Sequence, residues 1–231
     1  MGKRRGVPRR TAPPASALPE IDLASISVPA ARLGVALGEE QVRRLAAFAV
    51  LLQRWSAVHN LTAIRSPHEV VTHHLLDSLA IVPYLRRTCG KRGARMLDVG
   101  TGGGLPGIPV AIACPELQVT LLDAIQKKCA FLTQARVELR LANVDVVCAR
   151  VEQWQAPPYD AIVSRAFSSL REFVARTGHL LGPEGRWLAM KGPAYESEAA
   201  ALAPEVAVSD VVPLEVPGLG ESRHLVVLRR A

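Results

Sequence analysis

Five glycines fall within the ten residues Asp98-Val99-Gly100-Thr101-Gly102-Gly103-Gly104-Leu105-Pro106-Gly107. The apolar pair Met96-Leu97 precedes them, and the apolar run Ile108-Pro109-Val110-Ala111-Ile112 follows. This order reads as a strand entering a glycine loop that opens into a helix. A glycine has no Cβ, so the loop backbone can take positive φ and approach a bound nucleotide-like ligand closely. The stretch therefore points to an α/β protein with a ligand at the strand-to-helix turn.

Two fingerprints share the loop. Gly102-x-Gly104-x-x-Gly107 satisfies the G-x-G-x-x-G dinucleotide pattern, a weak signal alone, and Asp98-x-Gly100-x-Gly102-x-Gly104 satisfies the acidic loop of S-adenosylmethionine (SAM) enzymes. A pyrophosphate at a helix N-terminus is repelled by a neighbouring acid, whereas a sulfonium with an ammonium tail is attracted by one. Asp98 thus favours SAM over NAD. The next strand, Val119-Thr120-Leu121-Leu122, ends at Asp123. An acid about 20 residues past the glycines suits a pair of ribose hydroxyls, although Asp123 also reads as a cap for a helix starting near Ile125.

Strands are expected near 95–99, 118–123, 144–149, 160–164 and 186–190, alternating with helices near 106–113, 125–141, 169–181 and 194–202. Two β segments then follow directly, 205–215 and 223–229, joined by Pro217-Gly218-Leu219-Gly220. A mostly parallel α/β sheet closed by an antiparallel hairpin is the habit of class I, Rossmann-like SAM methyltransferases, whereas NAD domains continue β-α-β. Residues 93–231 form this expected catalytic domain. Residues 21–92 read as an N-terminal helical cap, with Leu45, Phe48, Leu52 and Trp55 at helical spacing. Within the cap, Ser66-Pro67-His68-Glu69 reads as a capping box and helix start, and Pro83 as a helix break.

The hydrophobic fraction of 49% supports a sizeable core, and the net charge is +7. Lys3, Arg4, Arg5, Arg9 and Arg10 carry +5 of it in a proline-rich segment, so residues 1–20 read as a disordered basic arm. The arm is either a solubilising tail or a segment drawn to RNA phosphate. A second cluster, Arg86, Arg87, Lys91, Arg92 and Arg95, is the candidate for ordered phosphate contact. Cys89, Cys114, Cys129 and Cys148 lack C-x-x-C spacing, as expected of free thiols in a reducing cytoplasm. No apolar stretch approaches the ~20 residues of a membrane span, no secretory h-region is visible, and nothing in the sequence demands more than a monomer.

His68-Glu69-Val70-Val71-Thr72-His73 is one residue too long for a zinc-protease motif. Histidines five apart on an α-helix point about 140° apart, so no metal is expected. Ala156-Pro157-Pro158-Tyr159 imitates an amino-methylating N-P-P-Y motif, but lacks its Asn or Asp and precedes the fourth strand, so it reads as a loop. Ser164-Arg165-Ala166-Phe167 does follow that strand. Its hydroxyl, cation and ring suit a stackable polar target such as a nucleobase, with a structural ion pair as the alternative for Arg165. No cysteine is present there to attack a pyrimidine. The acceptor is then an atom already nucleophilic, such as guanine N7, which needs alignment rather than a base.

The chain resembles the RsmG (GidB) family of bacterial 16S ribosomal RNA guanine-N7 methyltransferases. The resemblance rests on Asn60-Leu61-Thr62-Ala63-Ile64, on His74-Leu75-Leu76-Asp77-Ser78-Leu79, and on Asp98 through Pro109. It continues through Ser164-Arg165-Ala166-Phe167, Lys191-Gly192 and Arg223-His224-Leu225-Val226-Val227. The resemblance implies methyl transfer from SAM to one guanine N7 in the decoding region, with free 16S RNA, the 30S subunit or its precursor as partner. It also implies that Gly100, Leu105, Val151, Glu152 and Arg165 contact SAM, with Val151 and Glu152 beside the adenine. With the residue reading, Asp98 and Gly100 meet the methionine end, Gly102 also contacts the cofactor, Asp123 meets the ribose, and Arg165 with Ser164 the reacting centre. The alternatives are an NAD-dependent oxidoreductase and a non-catalytic RNA-binding protein with a vestigial pocket.

Overall fold

The computed structural model describes residues 21–231 apart from Lys91, Ala166 and Ser168. The expected basic arm at 1–20 lies outside the described residues. The strands are β1 (Arg95–Val99), β2 (Gln118–Asp123), β3 (Val144–Cys148), β4 (Tyr159–Ser164), β5 (Leu181–Lys191), β6 (Val206–Leu214) and β7 (Arg223–Arg230). They form one sheet in the order β3-β2-β1-β4-β5-β7-β6. β1 to β5 pair in parallel, and β7 runs antiparallel to β5 and to β6.

The expected hairpin is present, with its second strand inside and its first at the edge. Side-chain character decides this order. Leu225, Val226, Val227 and Leu228 of β7 are buried on both faces, whereas β6 carries the exposed Ser209 and Asp210 and the edge-tolerant Pro213. The parallel strands alternate between two cores. Met96, Leu121, Val163 and Leu188 face one, with helices α1 (Ala24–Arg32), α2 (Glu39–His59), α6 (Gly107–Ala113) and α7 (Gln126–Glu138). Leu97, Leu122, Ile162 and Trp187 face the other, with α8 (Leu170–Thr177) and α9 (Tyr195–Ala200).

The amino-terminal helices join the first core directly. Leu45, Phe48 and Leu52 of α2 are buried, and Trp55 meets Phe131 of α7 edge-on at 5.6 Å. Gln41 accepts from the Gly38 amide and donates to the carbonyls of Ile112 and Ala113, tying the start of α2 to the end of α6. α2 ends at Asn60, whose φ of 52° is the left-handed conformation that asparagine tolerates.

The next helical stretch is not regular. α3 (Pro67–Val70) begins at the expected proline, but Ser66 makes no side-chain cap bond. A π-helical segment, Val71–Leu76, then intervenes before α4 (Asp77–Leu79). The 140° separation expected of His68 and His73 presumed an unbroken α-helix, so that rotation does not describe the pair. The break expected at Pro83 falls at Ala80-Ile81, and Pro83 is the second residue of α5 (Val82–Cys89). Cys89, Cys114 and Cys129 are buried, Cys148 is exposed, and all four are free thiols.

Candidate active site

The glycine loop leaves the carboxyl end of β1 and hangs from β2. The amides of Gly100 and Thr101 both donate to the Leu122 carbonyl, at 2.9 and 3.2 Å. Asp98 closes the loop from below. Its Oδ2 accepts from the Thr101 hydroxyl at 2.5 Å and from the Gly107 amide at 2.8 Å, at the first residue of α6. The residue is wholly buried, and its Oδ1 has no hydrogen-bond partner among the described residues. Burial pushes its carboxyl up to about 6, against the opposing pull of the Thr101 hydroxyl and the Gly107 amide.

The glycines divide into two groups. A Cβ on Gly104 would stand 2.4 Å from Ile108 Cδ1, and one on Gly107 would stand 2.2 Å from Leu121 Cδ2, so these two serve packing. Gly100, at φ +66°, has no heavy atom within 4 Å of where a Cβ would be, and Gly102, at φ +59°, has none nearer than 3.9 Å. These two leave an open cradle on the outer side of the loop. Leu105, between the two packing glycines, turns its side chain into the core.

Asp123 ends β2 beside that cradle. Its Oδ2 accepts from the Gly102 amide at 3.0 Å and pairs with Lys128 Nζ at 3.4 Å, while Oδ1 accepts from the Ile125 amide at 3.0 Å. The N-cap of α7 is Ile125, with no side-chain cap bond, so Asp123 does not cap the helix as the sequence allowed; it makes a local turn just ahead of it and keeps lone pairs over for hydroxyl donors. Ile125, two residues on, is a large apolar side chain left 43% exposed, a surface suited to a flat ring. Val151 and Glu152 sit on a short 3₁₀ turn after β3; Val151 packs inward and Glu152 pairs with Arg176 at 3.2 Å.

Ser164 and Arg165 stand at the end of β4, next to the end of β1. The buried Ser164 hydroxyl donates to the Val99 carbonyl at 3.2 Å, which fastens the two strand ends together. Arg165 reaches across to the π-helical segment. Its Nη1 donates to the His73 carbonyl at 2.9 Å and to Asp77 Oδ2 at 3.2 Å, and its Nη2 lies 3.5 Å from His74 Nδ1. Burial, with the Arg165 charge second, lowers the His74 pKa to about 4, so the ring is neutral near pH 7. With Nδ1 turned to a guanidinium, its Nε2 carries the proton and donates to Thr62 Oγ1 at 2.8 Å. Arg223, at the start of β7, closes the chain of contacts, with Nε 3.5 Å from Asp77 Oδ1.

His73, His74, Asp77, Arg165 and Arg223 border a cavity of about 390 Å³, also lined by Phe167, Met190 and Lys191. Sequence reasoning singled out Arg165 for this place. His73 and His74 read from the sequence as packing or substrate-side groups, whereas Thr62, Asp77, Lys191 and Arg223 stood out only as parts of motifs, and Ile125 only as a helix start. An acid standing in the apolar run Leu75-Leu76-Asp77-Ser78-Leu79 was the available signal for Asp77.

The second basic cluster is elsewhere. Arg95 opens β1, so it lies about 13 Å along the strand from Val99 and the loop. Its guanidinium donates to the carbonyls of Pro157 and Pro158 and stacks on Tyr159, and Arg86 donates to the Ala113 carbonyl. Two of its arginines thus serve the fold at the far end of the sheet, and the cluster does not border the loop; Lys91 lies outside the described residues. Ala156-Pro157-Pro158 is a loop before β4, as its position implied, and Tyr159 is buried with its hydroxyl on Thr120 at 3.2 Å.

A ribosomal RNA small subunit methyltransferase G of Pseudomonas aeruginosa (strain LESB58) is 52% identical over 199 residues, 86% of this chain and 91% of that protein. One of the same name from Aromatoleum aromaticum is 51% identical over 205 residues, covering 87% and 95%. Among solved structures, TrmN from Thermus thermophilus superposes with a TM-score of 0.52 at 22% identity, over 67% of this chain and 49% of its own, a likeness of fold alone. Residues 41–226 match the family model described as rRNA small subunit methyltransferase G. A match of that length, with relatives half identical over nearly their whole chains, makes this chain a member of the rRNA small subunit methyltransferase G family.

Proposed function

We propose that the protein transfers a methyl group from SAM to N7 of one guanine in small-subunit ribosomal RNA, in the cytoplasm, with RNA or the assembling or finished subunit as partner. The observation that carries the reading is the juxtaposition of an open, acid-flanked glycine cradle with a polar cavity on the adjoining strand ends. The residues fit SAM. Gly100 and Gly102 leave room where a Cβ would intrude, and the buried Asp98 holds an oxygen without a donor beneath them. No oxidoreductase or purely RNA-binding reading finds support in a methyltransferase family.

SAM supplies a methyl carbon made electrophilic by a sulfonium. Asp98 and the Gly100–Gly102 backbone would hold its methionine end, Asp123 its ribose, and Ile125, Val151 and Glu152 would border its adenine side, with Leu105 offering only its backbone because its side chain lies in the core. Arg165, fixed by His73, Asp77 and His74, orients the reacting centre, and Ser164 keeps the ends of β1 and β4 in register beneath it. With SAM bound, its methyl would pass to the guanine N7 lone pair and the carbon–sulfur electrons would return to sulfur. No proton has to leave N7, so alignment carries the step.

Mapping N7-methylguanine in small-subunit RNA from cells lacking the gene, and from the same cells with it restored, tests the function. One methylated guanine is expected to vanish and return; an unchanged pattern sinks the proposal. Asp123→Ala removes the ribose acceptor and also frees the Gly102 amide and the start of α7. SAM affinity is expected to fall about tenfold or more by calorimetry, and unchanged affinity removes the ribose role. SAM affinity is also expected to depend on pH. A cationic ligand favours ionised Asp98, which exists above about pH 6, so affinity falls on acidification by up to about tenfold per pH unit below 6. In Asp98→Asn this dependence flattens, and a wild-type profile flat from pH 5 to 8 contradicts the contact.

A further inference from the structure

The wall of the cavity between the π-helical segment and the ends of β4 and β5 holds an acceptor without a donor. Asp77 is 2% exposed, and its Oδ2 is satisfied by Arg165. Its Oδ1 has no hydrogen-bond partner among the described residues; Arg223 Nε faces it at 3.5 Å as an ion pair only. A buried carboxylate oxygen in this condition is costly unless something else brings a proton donor. Beside it, the Arg223 guanidinium is anchored through Nη2 to Glu221 at 3.0 Å, and its Nη1 extends toward Gly192, where a Cβ would be 3.9 Å away. Arg223 and Asp77 therefore present one cationic donor and one unfilled acceptor side by side on the cavity wall.

We propose that this cavity seats the target guanine, and that Arg223 and Asp77 read its O6 and N1–H. The inference rests on the proposed guanine-N7 transfer and adds how the base is chosen. Guanine carries an acceptor, O6, next to a donor, N1–H, which complements that pair. Adenine inverts both, placing its 6-amino group against the guanidinium and its bare N1 against the carboxylate. N7 lies on the other side of O6, so reading this edge leaves its lone pair free for the methyl carbon. The volume of about 390 Å³ falls within the range of about 300–1,000 Å³ usual for small-ligand sites, and Ile64, Phe167 and Met190 supply apolar walls for the base. Methylation leaves the purine ring positive, and the Asp77 carboxylate at N1–H stabilises that charge as it develops.

The test uses the full chain and small-subunit RNA carrying guanine, inosine or 2-aminopurine at the mapped target position. Inosine keeps O6 and N1–H, and 2-aminopurine lacks both. The wild type is expected to methylate inosine within about threefold of guanine and 2-aminopurine roughly ten- to a hundredfold less well in kcat/KM. Arg223→Gln is expected to bind SAM within about threefold of wild type, to lose the preference for guanine over 2-aminopurine, and to regain part of it as Arg223→Lys. Asp77→Asn is expected to lose rate mainly in kcat, since the lost charge acts in the transition state; if it does not fold, Arg223→Gln decides alone. Wild type treating 2-aminopurine like guanine, or Arg223→Gln keeping full discrimination at reduced rate, overturns the base reading. Absence of any N7-methylguanine with unmodified RNA and wild-type protein instead overturns the function beneath it.

Discussion

Gly107→Ala is expected to lower the melting temperature by roughly 5–10 °C, as read by calorimetry. The new methyl would stand 2.2 Å from Leu121 Cδ2 and 2.7 Å from Asp98 Oδ2. Neither neighbour has room to retreat, because Leu121 is fully buried in the first core and Asp98 is bonded to Thr101 and to the Gly107 amide itself. Overpacking of this kind costs about 1–3 kcal/mol, and each kcal/mol is worth about 2–4 °C for a chain of this size. Gly100→Ala makes the control. It meets no atom within 4 Å, so its cost is the positive φ alone, about 1–2 kcal/mol, but its methyl occupies the cradle and SAM affinity falls. If both variants melt alike and bind SAM alike, the division of the glycines into packing and ligand-facing groups is wrong.

Arg165→Ala is expected to reduce methyl transfer about a hundredfold or more, since errors near 1 Å at a reacting centre already cost that much. The same change strips Asp77 Oδ2 of its Nη1 donor and the His73 carbonyl of its bond. Leaving a buried charged acceptor short of a donor adds about 1–3 kcal/mol of destabilisation, lessened by Arg223 nearby. Arg165→Lys is not expected to rescue the rate. One ammonium cannot span the His73 carbonyl, Asp77 and His74 as a planar fork does. Single-turnover rates and thermal melts on the three proteins check this, and a lysine variant with wild-type turnover contradicts it.

The fold was legible where its causes are local. The glycine loop, the strand ending at Asp123 and the helix starting at Pro67 each depend on a few adjacent residues, and they stand where the residue pattern puts them. The position of β7 between β5 and β6 follows from the greater apolarity of Leu225-Val226-Val227-Leu228 over Val208-Ser209-Asp210, a comparison of two strands rather than a local signal. The place of the second basic cluster was not legible, because a run of arginines before a strand does not say how far it stands from the carboxyl end of a parallel sheet, where the ligand site lies. The site itself was half legible. Arg165 could be named from its position after β4, but its partners His73, His74 and Asp77 lie 92, 91 and 88 residues away. No periodicity reports a meeting over such separations. The π-helical segment was also invisible, because its residues suit an ordinary helix and nothing in their spacing marks the wide turn whose His73 carbonyl meets Arg165.

That wide turn makes the length of this segment part of the site. Val71–Leu76 holds one residue more than an α-helical turn would, and it delivers both the His73 carbonyl and the Asp77 carboxylate to Arg165. Removing one residue would let the segment close into an ordinary α-helix with the phase of its flanks nearly kept, so that Leu79, Ile81 and Val82 stay in the core. The carbonyl that the wide turn offers to Arg165 would then be taken up inside the helix. A single-codon deletion here is expected to loosen the guanidinium while leaving the chain folded.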